Sequence, residues 1–247
     1  MEKTIVDKYV KKIVLYDELL IAIENDIHNS LRGYVICSWY NHWTSIIIED
    51  ILKDHERVLP AVGLIKKIDF FIDNIPFDLK VTYLPEGYVK YKRKDSRLKP
   101  ESTLLKKVSR LNDIPIDNSL GSRLTETLWA MVKDNPAENC QQLIQELDDF
   151  RNGLLEEISE NPESLIRWLY ENQGARRFDS SNRLFLILVK KSNNFESWKL
   201  KRAKQLLVDK IYEYLDKFSK DNIHNVNFEW NGEQYTAVSD VILISQD

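Results

Sequence analysis

The sequence predicts a mixed α/β (α+β) fold, with a central sheet flanked by helices and interrupted by a large helical insertion. Three observations carry that expectation. Between Ile65 and Leu84 the apolar period shortens to two, as it does in strands. Leu184–Val189 is a continuous apolar run of strand length, the pattern of a strand covered on both faces. On either side apolar residues recur at helical spacing, and they do so for longest between about Pro100 and Asn172.

Taken in order, Ile5, Tyr9, Ile13, Tyr16, Leu19, Leu20, Ile23 and Ile27 predict an opening helix over residues 5–29, which Gly33 interrupts. Helical spacing returns from Trp39 to about Val58, with Trp43, Ile47 and Ile51 one above another, and Pro60 closes the segment. Trp39 and Trp43, four apart, are expected in the core. Pro85 and Gly87 end the strand unit. Pro115, Gly121, Pro136 and Pro162 punctuate the helical stretch, and Asn161-Pro162-Glu163 predicts a helix start with Asn as its cap. Residues 195–219 return to helix. Val226–Trp230 and Glu233–Ala237 flank Asn231-Gly232, a hairpin signal, and Val241–Ile244 predicts a last strand. No repeat or low-complexity linker divides the sequence, so residues 1–247 are expected to form one domain, with residues 100–173 as the insertion.

The composition is that of a soluble globular protein, and no apolar run approaches the roughly 20 residues that a membrane span requires. The opening residues MEKTIVDKYVKK are charged and lack the apolar stretch of a signal peptide. Cys37 and Cys140 match no zinc or redox spacing and are expected to be buried free thiols in a reducing cytoplasm. His28, His42, His55 and His224 show no metal-ligand spacing, and glycine-rich phosphate loops are absent, which disfavours nucleotide-dependent activities. The net charge of −4 does not exclude a nucleic-acid partner, because local potential decides affinity for a polyanion. Tyr88–Arg110 is basic, Asp134–Glu171 acidic, and Arg176–Lys210 basic again.

The chemistry concentrates between Lys67 and Thr82. If Asp73-Asn74 forms a two-residue turn, Ile72 faces Ile75, Phe70 faces Phe77 and Ile68 faces Leu79, which places six apolar residues on one sheet face. The same register sets Asp69 opposite Asp78, and Lys67 opposite Lys80, on the other face. Opposed residues hold their Cβ atoms about 5 Å apart, where like charges are destabilising. A cation between the carboxylates would resolve the conflict. Two carboxylates, waters and substrate phosphate oxygens suit Mg²⁺, and Lys80 could orient the attacking water or stabilise charge developing on phosphorus. The competing reading has Asp69 and Asp78 facing solvent, neutralised by Lys67 and Lys80.

Asp69, a short hairpin and then Asp78-Leu79-Lys80 resemble the core motif of the PD-(D/E)XK nuclease superfamily, the fold of many restriction endonucleases. The resemblance implies a restriction-endonuclease-like core in which Asp69 and Asp78 bind the metal and Lys80 assists the water. Members often add a glutamate from the preceding helix, and Glu49 stands in that place, with Asp50 as its competitor. Leu184–Val189 would be the fourth core strand. No proline precedes Asp69, and the long insertion departs from the core pattern, so the resemblance covers roughly residues 40–84 and 183–219. It implies a type II restriction enzyme or related phage-defence nuclease that cuts double-stranded DNA with Mg²⁺ (Mn²⁺ substituting), as a possible homodimer through the acidic insertion. The alternative is a non-catalytic nucleic-acid or protein-binding module on the same fold.

DNA-contacting candidates follow from charge. Arg176, Arg177 and Arg183 precede the buried strand, and arginine forks suit phosphates and guanine edges, although surface or strand-capping roles fit them too. Lys90, Lys92 and Arg93 follow the motif strand among aromatics, where a backbone-binding cleft and a solvated loop are both open readings.

Overall fold

The computed structural model describes residue 9 and residues 12–62, 68–173 and 182–247. The chain divides into two compact units, Met1–Ile48 and Glu49–Asp247. No sequence signal marks the division, because a helix runs across it.

In the first unit, α1 (Tyr16–Ala22) continues through a π-helical stretch, Ile23–Ile27, into α2 (His28–Lys53). Gly33 does not interrupt α2, in contrast to expectation: a single interior glycine costs about 1 kcal/mol, too little to break a long helix. Trp39 and Trp43 are exposed rather than in the core, and Cys37 is exposed while Cys140 is buried.

The second unit is built on a six-stranded mixed sheet of order β1-β2-β3-β4-β6-β5. Its strands are β1 (Val58–Pro60), β2 (Phe70–Ile72), β3 (Ile75–Tyr83), β4 (Asn182–Lys190), β5 (His224–Trp230) and β6 (Glu233–Gln246). β3, β4 and β6 run parallel, while β1 and β2 on one side and β5 on the other are antiparallel. The expected hairpin register is observed: Phe70 pairs with Phe77 and Ile72 with Ile75. Asp73 and Asn74 both take positive φ, 47° and 68°, as the tight turn requires. Asn231 (52°) and Gly232 (81°) do the same between β5 and β6. Val241–Ile244 is not a separate strand but the continuation of β6.

Parallel neighbours need a crossover, and among the described residues five α-helices and a 3₁₀ turn, Asn118–Arg123, lie between β3 and β4. The α-helices are α3 (Glu86–Asp95), α4 (Glu101–Leu111), α5 (Leu124–Asp134), α6 (Glu138–Glu160) and α7 (Glu163–Glu171). The insertion therefore begins earlier than expected: Pro85 and Gly87 do not end a unit but open α3, with Pro85 as its N-cap residue. Asn161 accepts the Glu163 amide at 3.0 Å, the expected cap of α7. Where a longer helix was expected after β4, a 3₁₀ stretch, Asn194–Arg202, precedes α8 (Lys204–Lys217).

Alternation along the strands builds two cores. Phe185, Ile187 and Val189 pack with Tyr88 and Val89 of α3, Leu154 and Leu155 of α6, and Ile166 and Tyr170 of α7. On the opposite face Phe77 meets Phe218, just past α8, with ring centroids 6.1 Å apart. Leu105, Leu128, Val132, Cys140 and Leu147 form a further cluster within the insertion, so it carries its own core.

Candidate active site

β3 sets the site because it lies in the middle of the sheet, with the hairpin on one side and β4 on the other. Asp78 is buried, and it stands opposite Arg183 in the parallel register. Lys80 follows on the same strand face and donates from Nζ to Asp78 Oδ1; its side chain stays 41% exposed. Arg183, itself buried, brings Nε to 3.8 Å from Asp78 Oδ2. Its Nη1 donates to Gln173 Oε1 at 3.0 Å, and its guanidinium lies 4.9 Å from the Tyr170 ring centroid. Burial pushes the Tyr170 hydroxyl up to about 12, so at neutral pH it is a neutral hydroxyl beside the cation.

Asp69 lies one residue before β2, and the expected direct opposition to Asp78 is replaced by a different arrangement. Its amide donates to the Phe77 carbonyl at 2.9 Å, and its Oδ2 accepts the Leu79 amide at 2.8 Å. The Asp69 side chain thus supplies an acceptor where the ladder ends. Its carboxylate is held against the residue between Asp78 and Lys80.

The remaining candidates are spread more widely. Glu49, on α2, is partly buried and pairs with Lys53 at 3.0 Å, whereas Asp50 is exposed. Lys90 is exposed on α3. Lys92 donates to Glu157 of α6 at 2.7 Å. Arg93 is 1% exposed, donates to the Lys99 carbonyl at 2.7 Å and to Glu146 at 3.1 Å, and lies 4.9 Å from the Phe150 ring centroid. Lys92 and Arg93 therefore tie α3 to α6, and Tyr88–Lys94 is helical rather than a loop. Arg176, Arg177 and Lys67 lie outside the described residues. Sequence reasoning missed that Arg183, held by Gln173 and Tyr170, faces Asp78, because that placement depends on the parallel pairing of β3 with β4.

The donor chemistry suits a hard cation. Asp69 and Asp78 offer carboxylate oxygens, each with lone pairs beyond the bonds described, and Mg²⁺ habitually completes its shell with water and phosphate oxygens. Among the described residues no group of three or more His, Cys, Asp or Glu is arranged to hold a metal ion.

Comparison with known proteins gives no identification. No family model, no curated protein and no solved structure matches the chain.

Proposed function

We propose that the chain is a Mg²⁺-dependent endonuclease that hydrolyses DNA phosphodiester bonds, with Asp69, Asp78 and Lys80 as its centre. The observation that carries this reading is the placement of Asp69 against Leu79, between Asp78 and Lys80, on a strand flanked by an antiparallel hairpin and a parallel neighbour. Helix, motif hairpin, parallel strand and further helix occur in the order that the PD-(D/E)XK resemblance implies. Asp69 and Asp78 would hold the ion, with Glu49 a further candidate. A bound Mg²⁺ would supply Lewis-acid stabilisation of charge on the phosphate and its leaving oxygen. Lys80, oriented by Asp78 and still open to solvent, is positioned to hold the attacking water or to bond a non-bridging phosphate oxygen. Arg183 is walled in by Tyr170 and Gln173, so in this reading it orients Asp78 and does not contact bases.

A second reading rests on one observation: Lys80 and Arg183 already balance Asp78 without any ion. On that basis the chain would be a binding module that uses the fold and lacks the reaction. Plasmid and phage DNA incubated with Mg²⁺ or Mn²⁺ separates the two. Cleavage by the wild type, reduced at least about a hundredfold in Asp78→Ala and Lys80→Ala, supports the nuclease. Equal cleavage by all three proteins would remove the site. Absence of cleavage, combined with retention of labelled duplex in a gel-shift assay, would favour the module.

A further inference from the structure

β6 has a strand on only one side for much of its length. β5 pairs with it no further than His224–Ser239, while β4 follows it to Gln246. Residues 240–246 of β6 therefore present an edge that is bonded to no other strand among the described residues. The Gln246 carbonyl accepts the Lys191 amide at 2.7 Å, just past β4. Alternation then turns the main-chain groups of Ile242 and Ile244 toward β4, and those of Val241, Leu243 and Ser245 outward. The Val241 amide is closed off by Asp240 Oδ1 at 2.8 Å, which leaves Leu243 and Ser245 as the outward-facing positions.

Two clefts follow this edge and share Leu243 in their linings. One, of about 910 Å³, runs between the α6–α7 junction and α8, over Asp240–Leu243. The other, of about 740 Å³, runs along α6 past Leu243 and Ser245. Their walls are acidic: Asp148, Glu156, Glu160, Glu163 and Asp221 line them. The lysines present are already engaged, Lys210 and Lys217 by Glu213 at 2.8 and 2.9 Å, and Lys191 by Asp247 at 3.6 Å.

We propose that the β6 edge over residues 240–246 receives an extended, lysine- or arginine-rich peptide. The peptide adds a strand by bonding to Leu243 and Ser245 and sets its basic side chains against Glu156, Glu160 and Glu163. Main-chain bonds supply the docking geometry, and the acidic walls select the partner's charge. A second copy of this chain fits poorly, because edge-to-edge pairing would bring the same acidic walls together. The inference does not depend on the nuclease reading, since it uses neither Asp69, Asp78 nor Lys80.

Fluorescence anisotropy on the full chain tests it with three labelled heptapeptides. One alternates lysine and valine, one is the same peptide N-methylated at every internal residue, and one replaces each lysine with glutamate. Saturable binding is expected for the first, about tenfold or more weaker binding for the N-methylated peptide, and none for the acidic one. Ser245→Pro, which removes an outward amide and spares the β4 ladder, should weaken the first peptide roughly fivefold with the melting temperature retained. If this variant fails to fold, the three peptides on the wild type still decide. Equal binding of the plain and N-methylated lysine peptides would reduce the site to bulk charge and overturn strand addition. No binding by the lysine peptide overturns the proposal, as does a wild-type dimer in sedimentation that Ser245→Pro dissociates.

Discussion

Two of the places where carboxylates meet cations in this molecule differ in what they connect. In the insertion, Arg151 of α6 donates to Glu101 of α4 at 2.6 and 3.0 Å and to Glu86 of α3 at 2.8 and 3.0 Å. It also lies 5.0 Å from the Trp129 ring centroid of α5. Burial by itself would lower the Arg151 pKa, but Glu101 and Glu86 outweigh it and hold the guanidinium above its ordinary value. That cluster joins four helices distant in sequence. Asp78 and Lys80, by contrast, are two residues apart on one strand, so their pairing fastens no element to another. Lys80 also remains substantially exposed, whereas Arg151 and Glu101 are enclosed. One pair organises a core, whereas in the other Lys80 stays open to solvent and Asp78 also faces Arg183 of β4. The difference makes Asp78 and Lys80 the pair to test for a role beyond the fold.

The largest expected effect lies in the insertion. Arg151→Ala strands Glu101 as a buried, uncompensated charge, and urea unfolding should show a loss of about 3–5 kcal/mol. A loss below about 1 kcal/mol would mean that the cluster is no firmer than a surface pair, and the contrast with β3 would collapse.

Asp78→Asn should show the opposite signature. On the nuclease proposal, cleavage falls at least about a hundredfold, equivalent to roughly 2.7 kcal/mol of transition-state stabilisation, while thermal stability changes by only a few degrees. Should Asp78→Asn instead unfold the protein as Arg151→Ala does, Asp78 would be a structural anchor for Arg183.

Gly87 offers a smaller effect within the insertion's packing. A Cβ there would approach Trp168 Cζ2 and Cη2 to 2.8 and 2.9 Å, so α3 sits against α7 with no room for a methyl group. Gly87→Ala is expected to cost about 1–3 kcal/mol through overpacking, despite alanine's better helix propensity. A neutral or stabilised variant in the same unfolding assay would show that the Trp168 ring simply turns aside.

Short-range chemistry explains which of these features could be read from the residues alone. Both hairpins were legible because Asp73-Asn74 and Asn231-Gly232 tolerate the positive φ that tight turns demand, and the turn then fixes the register. β4 was legible as an unbroken apolar run, and it is buried on both faces. β1 was not: it is short, holds Pro60 at the sheet edge and has no alternation to betray it. α3 was hidden because Pro85 and Gly87 read as a stop, whereas proline before a first turn also starts helices. At the site, Asp69, Asp78 and Lys80 were legible as neighbours through the hairpin. Arg183 was legible only as a cation, since its place beside Asp78 depends on a parallel pairing across the whole insertion. The engagement of Lys92 and Arg93 was hidden for a related reason: their acidic partners Glu157 and Glu146 lie on a helix far along the chain.

The smallest expected effect concerns a third carboxylate, which calibrates the other two. Asp240 of β6 is buried like Asp78, yet its close partners are the Tyr214 hydroxyl at 2.7 Å and the Val241 amide at 2.8 Å, with His224 Nε2 only at 4.0 Å. Burial raises its pKa, and those two hydrogen bonds and His224 offset the rise only in part. A carboxyl whose folded pKa exceeds its unfolded value holds its proton more tightly when folded. Its contribution is therefore fully present below the unfolded value and is lost as pH rises through the raised folded value. Asp240→Asn mimics the protonated form at every pH. The melting temperature of the variant relative to wild type should thus climb as pH rises out of the ordinary carboxylate range, by a few degrees at most, and then level off. If wild type instead gains on the variant over that interval, His224 is pairing with an ionised Asp240. Burial on this sheet would then favour charge even without a lysine or arginine alongside, and the cations around Asp78 would lose their claim to be special.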